Sequence, residues 1–597
     1  MFDNKNTRRL FSVHPTIKSL LLEAQSAKSA REYLQTYLHQ YHRTLQQNNT
    51  RIQPLEWNVQ ITALETFQRM ISRRSERLAK FSMVATLWKL AHRLEDQLPA
   101  ELNDGFFAEM IHLFLGIQGQ SNIYSQEQSP AFSRLSGRPA AIMRSAQLDD
   151  MAAIGRAHLA KYKSGLRPEV INRRQKNKER ILTALQGEDE DWSNYSWHLR
   201  NVIRTSEVLG RLIDLSPAEK EAIDRARAGK LPFGITPYYA SLMDKEPSRQ
   251  FDHAVRAQVI PPLDYVQAML ANRQDRSCQF DFMLERDTSP IDLITRRYPS
   301  IVILKPYNTC SQICVYCQRN WEIDDVLCEK ALATKKKILA AIEWIADHPA
   351  VEEVLVTGGD PLVIRDAKID FVLANLANID HVERIRLGSR TPVVLPQRIT
   401  DDLINIIARY HVPGKREIVL VTHFEHPYEV TPDAMAAVQK FKRRGISVYN
   451  QAVFTMENSR RYELVALRKT LRLIGVDPYY TFNTKGKEET KSYRVPLARL
   501  MQEIKEEARL VPGVVRTDEP VYNVPRLGKN YIRAQQHHTL IMILPDGRRL
   551  YEFHPWEKKL TLVDTYLDSD VSIWEYLQEL KRRGEKIDSY DTIWYYY

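Results

Sequence analysis

The sequence predicts an α/β protein in which an open or partial (β/α)6 barrel follows a long, largely helical N-terminal extension. From about residue 296, short β-rich apolar runs alternate with longer stretches of helical periodicity. Alternation of this kind favours parallel strands joined by crossover helices. Earlier in the chain, apolar residues instead recur at helical spacing among Gln, Glu, Lys and Arg.

Each predicted strand is a short apolar run followed by a loop. The six strands are Ile301–Leu304, Glu353–Val356, Ile385–Leu387, Ile418–Phe424, Ser447–Phe454 and Tyr479–Phe482. In barrels of this type the reactive groups lie at the carboxyl ends of the strands. We therefore expect the chemistry of this chain in the loops after these strands.

The N-terminal third is expected to be helical from Pro15 to about Gln46 and from Leu55 to His92. A polar, turn-rich stretch from Gly116 to Pro139 indicates a long loop or boundary. We expect four regions, which are a helical N-terminal extension at 1–185, a further helical segment at 186–295, the partial barrel at 296–515 and a C-terminal region at 516–597.

Composition limits the class of protein. The 597 residues are 43% hydrophobic and include five cysteines, which argues against a secreted disulfide scaffold and favours a reducing cytoplasm. The net charge is +11, but the 85 basic residues are spread along the chain beside 74 acidic ones, which argues against a nucleic-acid-binding protein. Neither a signal sequence nor an apolar stretch of about 18 residues is found, so we expect no membrane span and no export.

Three of the cysteines fall within eight residues, at Cys310, Cys314 and Cys317. Thiolates suit zinc or iron–sulfur clusters, but structural zinc needs four ligands, and no histidine lies between His253 and His348. A cubane with three thiolates leaves one iron open for chemistry. The alternatives are inert thiols or a zinc site completed by a distant cysteine, Cys278 or Cys328.

The C-x3-C-x2-C spacing resembles the radical S-adenosylmethionine (SAM) superfamily, and longer stretches resemble one family within it. The chain is similar to the lysine 2,3-aminomutases, which are radical SAM enzymes dependent on pyridoxal phosphate. The resemblance covers about 190–535, and 1–185 have no counterpart in the shorter members. The matching segments are Asp191-Trp192, Trp197–Asn201, Ile235–Tyr239, Arg297–Pro299, Cys310–Cys317, Gly358–Asp360, Gly388–Arg398 and Thr422–Pro427.

The resemblance implies two cofactors at the barrel mouth. The three cysteines would hold a 4Fe-4S cluster. Gly358, Gly359 and Asp360 would hold the methionyl amino group of SAM, with Asp360 as the acceptor, and His423 and Gln451 would touch the rest of that molecule. For His423 or Gln451 alone, a buried and satisfied polar side chain is the alternative.

The resemblance also implies pyridoxal 5′-phosphate, held as an imine by Lys529 at the end of the turn that begins at Asn523. Arg297 matches a phosphate-binding arginine. The second basic position expected four residues further on is Ile301. The phosphate cradle is therefore only partly accounted for.

The substrate residues point to an acidic amino acid. Arg319 matches the arginine that binds the substrate α-carboxylate. Lysine-acting members present two aspartates to the substrate ε-ammonium, and this chain has Lys485 and Asn523 at those positions. A cation there repels an ammonium and attracts a carboxylate. The resemblance thus favours the glutamate-specific branch, which converts L-glutamate to β-glutamate.

Other readings stay open. The chain could act on lysine or another amino acid, or it could be a non-catalytic binding protein built on this fold. The expected partners are a small amino-acid substrate and an electron donor such as a flavodoxin or ferredoxin. A homo-oligomer is also expected, although the C-terminal zinc-binding cysteines of lysine-acting members are missing, because no cysteine follows Cys328.

Overall fold

The computed structural model describes residues 4–47, 54–123, 131–246, 251–275, 280–483, 488–534, 537–555 and 563–597. No helix in these ranges is both long and apolar enough to cross a lipid bilayer. Cys278 and Lys485 lie outside the described residues.

The N-terminal helices pack around their own core, as the periodicity predicts. In α3, the residues at helical spacing Ala30, Leu34 and Leu38 are fully buried. Ser72 and Ser82 cap the helices that follow them, because each side chain accepts a hydrogen bond from the backbone N–H three residues on. These helices are α1 (Asn4–Val13), α2 (Pro15–Glu23), α3 (Ala27–Gln47), α4 (Pro54–Met70), α5 (Arg73–Ala79), α6 (Met83–Ala91) and α7 (Asp104–Ile117).

A second group of helices leads to the sheet. Part of the loop predicted from Gly116 to Pro139, residues 124–130, lies outside the described residues, and the end of the predicted loop is helical because α8 begins at Gly137. Most of α8 is exposed, whereas Val170, Ile181 and Leu182 of α9 join the large core beneath the sheet. The helices are α8 (Gly137–Leu159), α9 (Pro168–Ala184), α10 (Asp189–Ser193), α11 (Tyr195–Arg200), α12 (Ser206–Leu212), α13 (Pro217–Ala228), α14 (Pro237–Ala240), α15 (His253–Val259) and α16 (Leu263–Ala271).

The central sheet has its strands in chain order from β1 to β9. Strands β2 to β8 are parallel to their neighbours, and β1 and β9 are antiparallel at the two edges. The strands are β1 (Ile294–Thr295), β2 (Ile301–Tyr307), β3 (Glu353–Gly358), β4 (Arg384–Gly388), β5 (Glu417–Thr422), β6 (Ser447–Phe454), β7 (Asp477–Asn483), β8 (Glu519–Val524) and β9 (Gly528–Tyr531).

Crossover helices follow the parallel strands, which confirms the predicted α/β class. They are α17 (Lys335–Ala346), α18 (Asp366–Ala377), α19 (Thr391–Val394), α20 (Asp401–Ala408), α21 (Pro432–Lys442), α22 (Glu463–Leu473) and α23 (Leu497–Gln502). The six predicted strands correspond to β2 to β7. The structure adds β8 to the parallel set, and β8 forms a hairpin with β9.

The sheet is curved around a lumen. Arg386 on β4 donates from Nη1 to the hydroxyl of Tyr479 on β7 at 3.0 Å, although two strands separate them in the sheet. Along β6, buried residues alternate with half-buried ones. The buried face, which includes Val448 and Phe454, packs in the large core. The other face carries Tyr449 and Gln451, which are half-buried and face the lumen.

The C-terminal part of the chain returns to the N-terminal helices. Strands β10 (His538–Ile543), β11 (Arg549–Phe553) and β12 (Tyr566–Ser569) form a separate antiparallel sheet, followed by α24 (Ile573–Arg582). Ile541, Met542, Ile543 and Leu550 are buried in the same core as the N-terminal helices. The first and last parts of the chain therefore share one hydrophobic core.

Candidate functional site

The three clustered cysteines lie in the loop after β2, as the sequence predicts. All three are free thiols and partly exposed. The helical segment before the sheet holds this loop, since Ile313 N–H donates to the carbonyl of Gly234 at 3.0 Å and Val315 N–H donates to that of Gln258 at 2.8 Å. Gly234, just before the matching segment Ile235–Tyr239, and Gln258 in α15 thus brace the cysteine loop.

The thiols fit a cluster better than one zinc ion. Among the described residues, the group of His, Cys, Asp and Glu side chains close enough to share one ion is His253, His426 and Glu463, and it includes none of the three cysteines. Burial, with Asp360 and the other two cysteines nearby, holds the pKa of Cys310 well above its usual value. A cationic group is therefore needed to keep these sulfurs as thiolates.

Arg390 links the cysteine loop to the barrel, and sequence reasoning did not single it out. Its Nη1 donates to Sγ of Cys314 at 2.7 Å, and its Nη2 donates to Oε1 of Glu429 at 2.7 Å. Its Nε donates to the carbonyl of His423 at 3.1 Å. Arg390 falls within the matching segment Gly388–Arg398, so the sequence marked it as part of the resemblance but did not indicate its role.

The two glycines after β3 allow a close approach of backbone to backbone. A Cβ on Gly359 would lie 2.0 Å from the carbonyl oxygen of Thr309, next to the first cysteine, and Gly358 has a φ of +107°. The N–H of Gly359 donates to the carbonyl of Tyr307 at 2.8 Å. Gly359 therefore docks the end of β3 directly on the cysteine loop.

Asp360 is buried and already engaged. Its Oδ1 accepts from Leu362 N–H at 3.1 Å and from the Ser389 hydroxyl at 2.6 Å. Its Oδ2 accepts from the N–H groups of Arg390 and Thr391, both at 2.9 Å. The carboxylate thus pins the loop that carries Arg390. The role of Asp360 as acceptor for the methionyl amino group stays a prediction.

His423 and Gln451 lie next to each other at the ends of β5 and β6. The His423 ring contacts the Gln451 carbonyl through Nδ1 at 3.0 Å. A carbonyl only accepts, so Nδ1 carries the proton and Nε2 keeps a lone pair in the neutral ring. Burial and the nearby Arg390 lower the pKa of His423 to about 4. Both residues are thus available at the mouth of the lumen.

Lys529 is the second residue of β9 and lies directly opposite Asn523 in the hairpin. Its ammonium lies 4.2 Å from the ring centroid of Tyr480, and no described residue forms an ion pair with it. Burial, and then the charge of Arg386, lower the pKa of Lys529 to about 8. A buried lysine with a lowered pKa is the type of amine that forms adducts with carbonyl cofactors.

Two arginines lie near Lys529. The side chain of Arg297 approaches the hairpin, because its Cδ would be 3.9 Å from a Cβ on Gly528. Arg386, which sequence reasoning missed, reaches the same region from β4 and pairs with Glu353. Arg386 supplies a second cation that the sequence could not locate, because only the curvature of the sheet brings β4 and β9 together.

Arg319 lies beside the third cysteine and contacts acids. Its Nη1 is 2.6 Å from Oε2 of Glu285 and 3.6 Å from Glu322. Lys305 on β2 completes a largely buried set, with its Nζ 3.1 Å from Glu322. Since these described acids contact Arg319 through Nη1, the other guanidinium N–H groups remain for a carboxylate ligand.

Comparison with known proteins first identifies the class. Residues 304–467 match the model of the Radical SAM superfamily. This match covers the stretch from β2 into α22 and contains the cysteine loop, the glycines after β3 and Arg390. A radical SAM domain implies a 4Fe-4S cluster and SAM.

Full-length relatives then identify the family. An uncharacterized KamA family protein of Methanocaldococcus jannaschii is 42% identical, over 98% of this chain and 97% of that protein. A glutamate 2,3-aminomutase of Clostridioides difficile is 35% identical over 54% of this chain and 72% of that protein. An L-lysine 2,3-aminomutase of Acetoanaerobium sticklandii is 35% identical over 59% of this chain and 82% of that protein. The chain belongs to the KamA family, the family of the lysine 2,3-aminomutases.

Proposed function

We propose that this chain is an aminomutase that moves the amino group of an α-amino acid from C2 to C3, with L-glutamate as its substrate. The observation that carries the proposal is the position of Lys529, a half-buried amine that lies opposite Asn523 and 4.2 Å from the ring centroid of Tyr480, with its pKa lowered to about 8. The KamA relatives named as 2,3-aminomutases support the reaction class.

The residues at the mouth divide into two groups by cofactor. Cys310, Cys314 and Cys317 would hold the cluster, and His423 and Gln451 would contact SAM. Lys529 would hold pyridoxal phosphate. When bound, the cluster and SAM supply a carbon-centred radical, and pyridoxal phosphate supplies a carbonyl that carries the amino nitrogen.

The arginines would orient the anionic groups. Arg297 and Arg386 approach Lys529 from two sides and would bind the phosphate. Arg319 would bind the substrate α-carboxylate through the donors that Glu285 leaves open, since a guanidinium fork suits a carboxylate. The protein thereby fixes the substrate between Lys529 and the cysteine loop, which is the positioning that this chemistry requires.

Glutamate is proposed because Lys485 and Asn523 occupy the two positions at which lysine-acting members present aspartates. A cation there suits a second carboxylate better than an ammonium at the far end of the substrate. Arg319 and Arg386 lie beside the lumen and supply further cations.

A competition experiment tests the proposal. The protein is reconstituted anaerobically with iron, sulfide, pyridoxal phosphate and SAM, and is given equal amounts of isotope-labelled glutamate and lysine. We expect labelled β-glutamate as the main product, and none from the Lys529→Ala variant. Preferential formation of β-lysine would reverse the substrate assignment, and no β-amino acid from either label would reject the reaction.

The charge at position 485 tests the substrate assignment separately. Lys485→Asp should lower kcat/KM for glutamate by at least about tenfold, because a charge contact worth about 1.4 kcal/mol is lost. Lys487→Asp, two residues along the same stretch, is the matched control and should change kcat/KM little. Equal effects of the two substitutions would place residue 485 outside the substrate site.

A further inference from the structure

A cavity of about 330 Å³ lies outside the lumen, between the N-terminal extension and the loops after β5 and β6. None of the residues predicted to bind a cofactor or substrate lines it. Its walls come from the connection between α8 and α9, from residues near α15, from both barrel loops and from the stretch after α24. The lining residues are Ala160, Lys161, Tyr162, Lys163, Phe251, His253, His426, Arg460 and Glu585.

The extension is fixed firmly at this place. The Tyr162 hydroxyl donates to the carbonyl of Arg461 at 2.9 Å. Gly165 N–H donates to the carbonyl of Pro427 at 3.0 Å, and a Cβ on Gly165 would lie 2.5 Å from the carbonyl oxygen of Val430. The connection between α8 and α9 therefore forms a defined wall of the cavity.

His426 presents a buried donor at the cavity. Its Nδ1 accepts the Tyr428 N–H at 3.1 Å, so in the neutral ring the proton must be on Nε2. His426 is 2% exposed, and its Nε2 makes no hydrogen bond to a described residue. The nearest acceptor is Oε1 of Glu463 at 3.2 Å, but the geometry does not form a hydrogen bond. A buried N–H group without a hydrogen-bond partner favours a ligand with an oxygen atom that accepts this hydrogen bond.

A metal ion fits this place poorly. The ligand atoms of His253, His426 and Glu463 lie within 4.8 Å of one another, which would suit one ion by distance. However, a metal needs the lone pair on Nε2 of His426, and that nitrogen carries the proton. Arg460 also lies with Nη2 3.1 Å from Oε1 of Glu463 and neutralises it. Nε2 of His426 therefore donates a hydrogen bond rather than an electron pair.

Cations face the same space. Lys163 has its ammonium 4.9 Å from the ring centroid of Phe251, and the guanidinium of Arg460 lies 5.7 Å from that of Tyr162. Lys161 adds another positive charge, and Glu585 is the acid that lines the cavity. Arg460 is paired with Glu463, and Lys163 lies 3.3 Å from the exposed carboxylate of Glu169. Positive charge, aromatic walls and a buried hydrogen-bond donor together suit an anion whose oxygen atoms accept hydrogen bonds.

We propose that this cavity is a binding site for a small anion that bears a carboxylate or a phosphate group. Lys161 and Lys163 supply the charge, and Nε2–H of His426 donates to the bound oxygen. The site belongs to this chain's N-terminal extension as much as to its barrel. Its loop also carries Glu429, the partner of Arg390, so an occupant would touch the segment that braces the cysteine loop.

Calorimetric titration of the full-length chain tests the site. The protein is first loaded with pyridoxal phosphate and is then titrated with inorganic phosphate and, separately, with succinate. We expect one of the two anions to bind, and the tighter one identifies the group. The Lys161→Ala/Lys163→Ala variant should bind it about tenfold more weakly, which corresponds to one charge-assisted hydrogen bond. Glu585→Gln should bind it more tightly, because a like charge is removed.

The control variant removes two lysine charges at positions away from the cavity. Lys28→Ala/Lys220→Ala changes two exposed lysines that do not line the cavity, and it should leave the affinity unchanged. The proposal is overturned if neither anion binds, or if the control variant weakens anion binding as much as the cavity variant does. It is also overturned if Zn²⁺ binds instead of the anions and Glu585→Gln weakens the binding of Zn²⁺. Because Glu585→Gln predicts a gain, loss of folding in the lysine variant cannot mimic the expected result.

Discussion

At the scale of single residues, the site depends on how burial changes the pKa of a charged side chain. Lys529 lies among Tyr480, Tyr298 and Arg386 in a lumen that desolvates its ammonium. Gly359 acts by the absence of a side chain, since it lets two loops touch through their backbones. One residue sets reactivity and the other sets geometry, and each can be tested alone.

The lowered pKa of Lys529 predicts a pH dependence of adduct formation. Only the neutral amine attacks a carbonyl, and a pKa of about 8 makes half of it neutral at pH 8, whereas an ordinary lysine reaches that point near about pH 10.4. The rate of borohydride-trapped attachment of pyridoxal phosphate should therefore rise with a midpoint near pH 8. Mass spectrometry of the labelled peptide gives the rate and the site.

Lys491→Ala is the control for that measurement, since Lys491 is exposed and should not affect the profile. Lys529→Ala should abolish specific labelling. A midpoint above about pH 10, as in a solvated lysine, would mean that the amine is not desolvated in the protein.

Gly359→Ala should destabilise the protein by about 3 kcal/mol, because a Cβ would meet backbone atoms of Thr309 that cannot move aside cheaply. Urea unfolding of the full-length chain measures the loss, and iron content after reconstitution should fall with it. Gly513→Ala is the matched control, because nothing lies within 4 Å of its Cβ position. Equal unfolding midpoints for the two variants would disprove the tight contact.

At the scale of elements, the strands with clear apolar runs were predicted and the hairpin was not. Ser447–Phe454 alternates in burial over its whole length, and the sequence placed it correctly. Strands β8 and β9 were not predicted, because Pro520 and the turn residues Pro525 and Gly528 favour a loop. Arg526 and Gly528 both have positive φ in that turn, which local sequence patterns do not reveal for arginine.

The candidate site shows the same division. Cysteine spacing and the strand-end loops predicted where Cys310 and His423 lie along the sheet, whereas only the resemblance pointed to Lys529, which lies on β9. Arg386 and Arg390 were missed because their partners are distant in sequence and depend on the curvature of the sheet. Side-chain partners such as Glu285 for Arg319 lie on irregular segments that no periodicity predicts.

The contact between α7 and β11 predicts a large effect of one carboxylate. Glu109 and Arg549 are each 1% exposed and share two hydrogen bonds of 2.9 Å. Glu109→Ala leaves the guanidinium buried without its acid, so we expect a loss of about 3–5 kcal/mol. Chemical unfolding of the full-length protein measures this value.

The control is Glu207→Ala, which breaks an exposed pair with Arg211 one helical turn away. Such a pair contributes at most about 0.5 kcal/mol. If Glu109→Ala behaved like the control, the ion pair would not hold the two elements together.

At the scale of the whole molecule, the N-terminal extension is part of the main structure. Its helices share a core with Ile541, Met542 and Ile543, and its α8–α9 connection packs on the barrel loops. Removal of residues 1–123 should expose those three side chains and give a protein that aggregates or binds a hydrophobic dye. Co-expression of 1–123 as a separate chain should restore solubility.

A truncated protein with the thermal unfolding of the full-length chain and no added dye binding would contradict this prediction. The extension would then be an independent unit, and the shared core would contribute little to folding.

The shared core also has a consequence for how the protein is made. Ile117 and Ile541 are separated by more than 400 residues of chain. At about 5–20 residues per second, a ribosome needs about 20–80 s to deliver the second after the first. During that interval the newly emerged helices have an unfinished apolar surface, so holdase chaperones should be found on the nascent chain until the last strands leave the exit tunnel.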